Sequence, residues 1–408
     1  MLVLYNIGIR IYYAAIWLAS FFNNKAKLWL NGRKQQAFVR YDNSIWFHFA
    51  SLGEFEQGRP VLEQMKLAYP DRPVVITFFS PSGYEVRKNT PLADAVYYLP
   101  LDTAGNAARF IKTINPSIAV FTKYEYWYHF FAQLYKRRVP LYIVSGIFRD
   151  GQVFFKWYGG THRKMLKCVR HFFLQDEHSK HLLAGIGINN TTVSGDTRFD
   201  RVYANASNPK QLPEVEQFIN GHKTMICGST WPEDEKLLAE LISLHPDHKF
   251  IFAPHELSIE KINRLAEMLP PDSAIKYSAL ALAEDGNNYQ CLIIDNMGML
   301  SSLYQYGNMA YIGGGFGVGI HNTLEAAAFG IPVIFGPNYS KFNEAKALIS
   351  IGAGFTISNE AELIAIVEQL NTDEAYYAAS CQQARQYVDT QKGATEKIVT
   401  YIQSTETA

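Results

Sequence analysis

At 408 residues, 48% of them hydrophobic, the chain exceeds one ordinary domain and carries enough apolar side chains for two cores. Its 38 Lys and Arg balance 38 Asp and Glu, which excludes a global field that would gather nucleic acid. Cys168, Cys227, Cys291 and Cys381 stand far apart with no CxxC pair. That spacing argues against a zinc site and against a disulfide framework, and points to a reducing, cytoplasmic compartment.

Leu2 to Phe22 is largely apolar, interrupted by Asn6, Gly8, Arg10 and Ser20. A cleavable signal carries its positive charge first and a small-residue cleavage site after, and neither stands out here. A spanning helix needs about 20 apolar residues, and Arg10 breaks this run. Lys25, Lys27, Arg33 and Lys34 follow, as on a cytoplasmic flank. Residues 1–22 are read as a membrane anchor or an interfacial helix, with an ordinary buried first helix as the other reading.

Ser44 to Phe49 (SIWFHF) reads as a buried strand. The loop Ala50 to Glu54 leads into a helix from about Phe55 to Ala68, with Pro60 near its start, where proline is tolerated. Further strands follow at Pro73–Phe79, Val96–Leu99, Ser117–Phe121, Leu141–Val144, His171–Leu174 and Thr191–Val193, with helical patterns between most of them. A linker rich in Asn, Ser and Pro spans about Asn205 to Pro213, after which the pattern restarts. Strands are expected at Thr224–Cys227, Lys249–Phe252, Cys291–Ile294, Met309–Ile312 and Pro332–Phe335. Leu363, Ile366, Val367 and Leu370 mark a later helix. The alternation predicts an α/β protein with two doubly wound parallel sheets, each covered on both faces. Ligands on such sheets bind beyond the carboxyl ends of the strands, and the polar loops fall at those ends. Two such domains with a cleft between them suit an enzyme that joins two substrates.

The stretch Gly313 to Pro337, GGGFGVGIHNTLEAAAFGIPVIFGP, is the densest local signal. Glycines allow close backbone approach to a ligand. A helix starting near Asn322 and ending at Gly330, with Glu325 in its first turn, would offer N–H groups to a phosphate. The stretch matches neither a P-loop nor Gly-x-Gly-x-x-Gly. Glu325 fits a carboxylate for ribose hydroxyls and equally an acid that favours the helix dipole. Glu54, at a strand-to-helix turn, fits a base for an acceptor hydroxyl and equally a helix-start acid. His255 and His321 are loop histidines at strand ends. No Asp-x-Asp pair offers a divalent-metal site, so leaving-group charge is expected to meet N–H donors instead.

An ordered set of short motifs resembles one family. SLGE at Ser51 to Glu54 is similar to its Ser-Val-Gly-Glu, and YLPLD at Tyr98 to Asp102 to its Tyr-Leu-Pro-x-Asp. SGDTRFD at Ser194 to Asp200 resembles Ser-Gly-Asn-x-Lys-Phe-Asp. GST (Gly228 to Thr230), APHE (Ala253 to Glu256), DNMG (Asp295 to Gly298) and HNTLEAAAFGIPVIFGP (His321 to Pro337) resemble further motifs. The family is the 3-deoxy-D-manno-octulosonic acid (Kdo) transferases of lipid A and lipopolysaccharide assembly, and the resemblance runs from the N-terminal segment to about Gly354.

The resemblance implies a GT-B fold: a Rossmann-like acceptor domain (23–205), a Rossmann-like donor domain (206–385) and a C-terminal helix (386–408) crossing back to the first. It implies an inverting, metal-independent transfer from CMP-Kdo, a substrate, to a tetraacylated lipid A precursor, with no cofactor. The place would be the cytoplasmic side of the inner membrane. Glu54 matches the general base. Pro254, His255, Met297, Gly298, Met299, Asn322, Thr323, Leu324 and Glu325 match the CMP-binding segments. Ser229, Thr230, Gly314, Gly315 and His321 fall beside them as donor-side support, and Ser51, Gly53, Ser82, Lys123 and Glu125 on the acceptor side. The chain departs from the family at KYEYWY, Lys123 to Tyr128, where Glu-Thr-Glu-Leu-Trp-Pro is common, and at SGIFR, Ser145 to Arg149, where Ala-Arg-Leu-Ser is common. A GT-B transferase using a UDP-sugar on another lipid or glycan is the alternative. Arg149, Lys156, Arg163 and Lys164 fit either acceptor phosphates or a solvated face.

Overall fold

The computed structural model describes residues 2–283 and 286–406. Residue 1 of the expected N-terminal segment and residues 407–408 of the expected C-terminal helix lie outside them. The chain forms two units, Met1–Arg201 with Lys392–Ala408, and Val202–Gln391. The first passage falls inside the continuous helix Thr197–Ser207, and the return at the break between helices Glu374–Gln391 and Ala394–Glu406.

The first unit is built on seven parallel strands: β1 (Ser44–Phe49), β2 (Val74–Phe78), β3 (Ala95–Tyr98), β4 (Pro116–Thr122), β5 (Leu141–Gly146), β6 (His171–Leu174) and β7 (Thr191–Val193). Their order is β3-β2-β1-β4-β5-β6-β7. β1 is buried at every position because helices cover both faces, which is why its sequence runs apolar instead of alternating. Trp46 packs with Phe110, Phe121 and Phe130 on one face. Phe47, Phe49, Phe55 and Phe78 fill the other. Each such ring removed from water is worth about 1.5–3 kcal/mol. The helix Ala394–Glu406 adds Ile398 and Ile402 to that second face. Its start is held by Asp200, which accepts from the Gly393 and Thr395 N–H groups at 2.5 and 2.8 Å and from the Thr395 hydroxyl at 2.7 Å.

The second unit repeats the plan with β8 (Thr224–Thr230), β9 (Lys249–Pro254), β10 (Ala274–Lys276), β11 (Cys291–Ile293), β12 (Met309–Ile312), β13 (Val333–Phe335) and β14 (Gly354–Thr356). All pairs are parallel, in the order β10-β11-β9-β8-β12-β13-β14. The edge strands β10 and β14 are absent from the sequence reading. In each sheet the winding reverses beside the first strand, between β1 and β4 and between β8 and β12. Crevices for ligands open at such reversals.

The apolar N-terminal segment is a helix, Leu2–Ala19, with none of its residues buried. One side lies on the first unit. Tyr5 donates to Asp102 at 2.5 Å, Asn6 bonds His129 at 2.7 Å, and Tyr12 and Tyr13 meet the Trp29 ring. The other side presents Val3, Leu4, Ile7, Ile11 and Leu18 to solvent. Arg33, expected in a solvated basic flank, is instead enclosed. Its guanidinium lies 3.7 Å from the Trp29 ring centroid and donates to the Trp29, Phe79 and Leu99 carbonyls. Burial pulls its pKa down to about 9, still high enough to keep it charged at neutral pH. The planar fork reaches all three carbonyls, which a lysine could not.

Candidate active site

In the first unit the helix after β1 begins at Leu52, earlier than the pattern indicated, so Glu54 lies in its first turn. Ser51 caps the helix by accepting from the Glu54 N–H at 3.5 Å, and Glu54 Oε2 accepts from the Ala50 N–H at 2.7 Å. This is a variant of the capping box, so Glu54 has a structural use. Only one oxygen serves it; Oε1 has no partner among the described residues. Burial lifts the Glu54 carboxyl to about 7, the charge of Glu125 adds to the rise, and the Ala50 N–H and Lys123 offset part of it. A carboxyl near 7 is a far better base than an ordinary glutamate and is still about half ionised at neutral pH.

Glu125 follows β4, the strand paired with β1 across the reversal. Its Oε2 accepts from Trp127 Nε1 at 2.9 Å and meets His48 Nε2 at 3.1 Å. Lys123, also after β4, holds a left-handed φ of 57° that a lysine adopts only under constraint. Gly53 is open on the helix start. Ser82, on the short helix Pro81–Arg87, is exposed, and its contacts are with Ser80 alone; nothing joins it to Glu54. Arg163 is tied to its own loop through the Phe154 and Lys156 carbonyls, so it is no solvated phosphate ligand.

In the second unit Ser229 and Thr230 belong to β8 instead of the loop after it. The register against β9 slips between Gly228 and Thr230, and Ser229 takes a φ of 54°. Beyond the strand ends, three rings gather. His255 stacks on Trp231 with centroids 4.8 Å apart and lies 4.4 Å from His321. Trp231 Nε1 donates to His321 Nε2 at 3.2 Å, which leaves the His321 proton on Nδ1. Burial, with His255 beside it, pushes His321 down to about 4; burial and Lys261 lower His255. Both are neutral donors and acceptors at pH 7. Trp231 was missed in the sequence, where it reads only as the residue before a helix-starting proline.

The glycine-rich loop differs from the expectation in its reason. A side chain on Gly315 would strike the Gly336 backbone at 2.5 Å, and one on Gly313 would strike Ser229 O at 2.3 Å. Gly314 has a φ of 91°. The glycines let this loop pack closely against its protein neighbours. Asp234 clamps it, accepting from the Gly314 N–H at 2.8 Å, the Trp231 N–H at 2.9 Å and the Tyr311 hydroxyl at 2.8 Å.

The helix expected from Asn322 to Gly330 is a single turn, Leu324–Ala327. So short a helix has little dipole to offer a phosphate. Asn322 instead braces it, accepting from the Leu324 N–H at 3.1 Å and donating to Glu325 at 3.0 Å. The Thr323 hydroxyl is buried with no partner among the described residues. Pro254 ends β9. Met297 is 83% exposed, Gly298 has a φ of 90°, and Met299 is buried at the start of a short helix. Among the described residues no group of three His, Cys, Asp or Glu side chains could hold a metal ion.

Residues 22–201 match the family model described as 3-deoxy-D-manno-octulosonic-acid transferase (kdotransferase). The chain is 26% identical over 355 residues to a 3-deoxy-D-manno-octulosonic acid transferase of Chlamydia trachomatis, covering 83% of this chain and 81% of that protein. It is 26% identical over 331 residues to the enzyme of that name from Aquifex aeolicus, covering 80% and 86%. Among solved structures, a UDP-GlcNAc 2-epimerase from Neisseria meningitidis bound to UDP-GlcNAc superposes with a TM-score of 0.64 at 16% identity, over 88% of this chain and 100% of that one. A putative UDP-N-acetylglucosamine 2-epimerase from Listeria monocytogenes gives 0.59 at 14%, over 89% and 96%. At such identity the epimerases speak for the fold alone, the two-unit GT-B architecture. With residues 22–201 matched by the kdotransferase model and most of its length 26% identical to enzymes of that name, the chain is similar to the Kdo transferases, a family of glycosyltransferases.

Proposed function

We propose that this protein transfers Kdo from CMP-Kdo to a tetraacylated lipid A precursor (lipid IVA), with inversion and without a metal ion. The observation that carries the reading is Glu54, whose free Oε1 belongs to a carboxyl raised to about 7. In the reaction Glu54 takes the proton of the acceptor hydroxyl as its oxygen forms a bond to the ketosidic carbon of Kdo. The bond from that carbon to the CMP phosphate oxygen breaks, and CMP leaves with the electron pair. Attack opposite the leaving group inverts the centre. The second unit is the donor side. Neutral His255 and His321, the unpaired Thr323 hydroxyl and the braced Glu325 supply hydrogen-bonding groups for a nucleotide. Lys123, Arg149 and Arg198 are the cations of the acceptor side; Arg149 and Arg198 both act on Tyr124, beside Glu54. They suit acceptor phosphates.

The test supplies CMP-Kdo and lipid IVA with EDTA present and follows CMP release and a heavier lipid product. Turnover in EDTA is expected, and loss of it would overturn the metal-free mechanism. CMP is expected to raise the melting temperature and UDP to leave it unchanged. The reverse would favour a UDP-sugar donor.

The N-terminal helix is proposed to lie on the cytoplasmic face of the inner membrane. The contacts of Tyr5, Asn6, Tyr12 and Tyr13 along one side of this helix support a position lying against its own domain. Its outer side, rich in Leu, Ile and Val, matches the apolar face of an interfacial helix. Replacing Leu4, Ile11 and Leu18 together with Glu is expected to release the protein from vesicles of anionic lipid without changing its circular dichroism. Unchanged flotation would place membrane contact elsewhere.

A further inference from the structure

We propose that Glu125 is a positioning residue for transfer: clamped by His48 and Trp127, it holds a fixed negative charge beside Glu54 and so keeps that residue a strong base. This rests on Glu54 being the base.

The clamp begins in the core. His48 is fully buried in β1, an isolated polar side chain in an otherwise apolar strand apart from its first residue. Trp46 Nε1 donates to the Thr77 hydroxyl at 2.8 Å, and that hydroxyl lies 2.8 Å from His48 Nδ1. His48 Nδ1 also lies 3.1 Å from the Thr77 carbonyl oxygen, and its Nε2 lies 3.1 Å from Glu125 Oε2, so the ring is held between Thr77 and Glu125. Trp127 closes the clamp from the other side. Its indole N–H donates to the same Oε2, and its ring stacks on Phe79 with centroids 5.0 Å apart. These contacts from both sides hold the Glu125 carboxyl group in place.

The clamp belongs beside Glu54 by topology. β1 and β4 are neighbours, with His48 opposite Phe121. Glu54 follows β1 by a short loop, and Glu125 follows β4. The groups acting on Glu54 are Glu125, Lys123 and the Ala50 N–H, with Tyr124 and Tyr126 in range. Those in range of Glu125 are His48, Trp127, Tyr12, Tyr126 and Glu54. Lys123 opposes the effect of Glu125, so the base strength is a balance of two fixed charges contributed by one loop.

A residue that only braced the loop would alter the rate without moving its pH dependence. The experiment is the profile of kcat/KM against pH for Glu125→Gln, whose amide oxygen can still accept from the Trp127 N–H and whose shape is kept. The acid limb is expected to move down by about one pH unit, with a several-fold lower plateau from the weaker base. Glu125→Asp, which withdraws the charge by one methylene, is expected to shift it the same way by less. A lower plateau with an unmoved limb in both folded variants would overturn the proposal and leave Glu125 a brace. Glu54→Gln separates the two ideas. Full activity there removes the base assignment itself, whereas an inactive Glu54→Gln beside an unmoved Glu125→Gln limb removes only the role of Glu125.

Discussion

Replacing Glu54 with Gln is expected to lower the transfer rate by about 10²–10⁴-fold, the usual contribution of a positioned base, and to leave the fold as stable or more so. Gln keeps the oxygen that accepts from Ala50, so the helix start survives. What is lost is the ability to take a proton. In the parent protein kcat/KM should rise about tenfold per pH unit below about 7 and level off above it, because only the ionised form is a base. The stability effect runs the other way. The folded carboxyl, at about 7, holds its proton more tightly than the unfolded one, at 4.5. Its contribution to stability is therefore complete below the unfolded pKa and is lost as pH rises towards 7. At pH 8 the ionised side chain costs the fold on the order of 1–3 kcal/mol, which Gln removes. Urea midpoints at pH 6 and pH 8 check this. A Glu54→Gln protein that is less stable at pH 8, or still active, would contradict a strained, functional carboxylate.

The second large effect is expected at Asp234. Substitution by Ala should destabilise the second unit by about 3–5 kcal/mol, because it strands buried donors that each cost about 1–3 kcal/mol when unpaired. Asp234 is 1% exposed and its two oxygens receive the Gly314 and Trp231 N–H groups and the Tyr311 hydroxyl. Such a loss is a large share of the usual 5–15 kcal/mol of a folded domain. The same change frees the glycine-rich loop from the helix that holds Trp231, so thermal protection by CMP should fall with it. Urea denaturation followed by CMP titration of the folded fraction reads both. A midpoint unchanged from the parent would show that water or a rearranged loop replaces the carboxylate.

Much of the architecture was legible because the sheets are parallel and buried on both faces. SIWFHF, HFFL and MAYI are continuous apolar runs, and such runs are visible without a partner strand. The edge strands β10 (AIK) and β14 (GFT) carry no such apolar run. The candidate loops could be named because they follow strands. The turn at Asn322 was misjudged for a related reason: Leu324 to Gly330 has good helix formers, yet after one turn the chain is drawn into β13. His48 carried a signal that could have been used, a lone imidazole in an apolar strand, which is costly to bury unless something receives it.

By itself the sequence determined the α/β class, the two-sheet repeat, the family resemblance and the strand-end turns near Glu54 and Glu325, all properties of local pattern and order. Tertiary structure alone decided what those residues experience. Glu125 acts on Glu54 only because β1 and β4 are neighbours across 70 residues of chain. Arg33 left the expected basic flank because three carbonyls from separate segments converge on it. The glycines of the central stretch are needed because Ser229 and Gly336 press against them. Charge, burial and close approach depend on neighbours distant in sequence, and no periodicity encodes them.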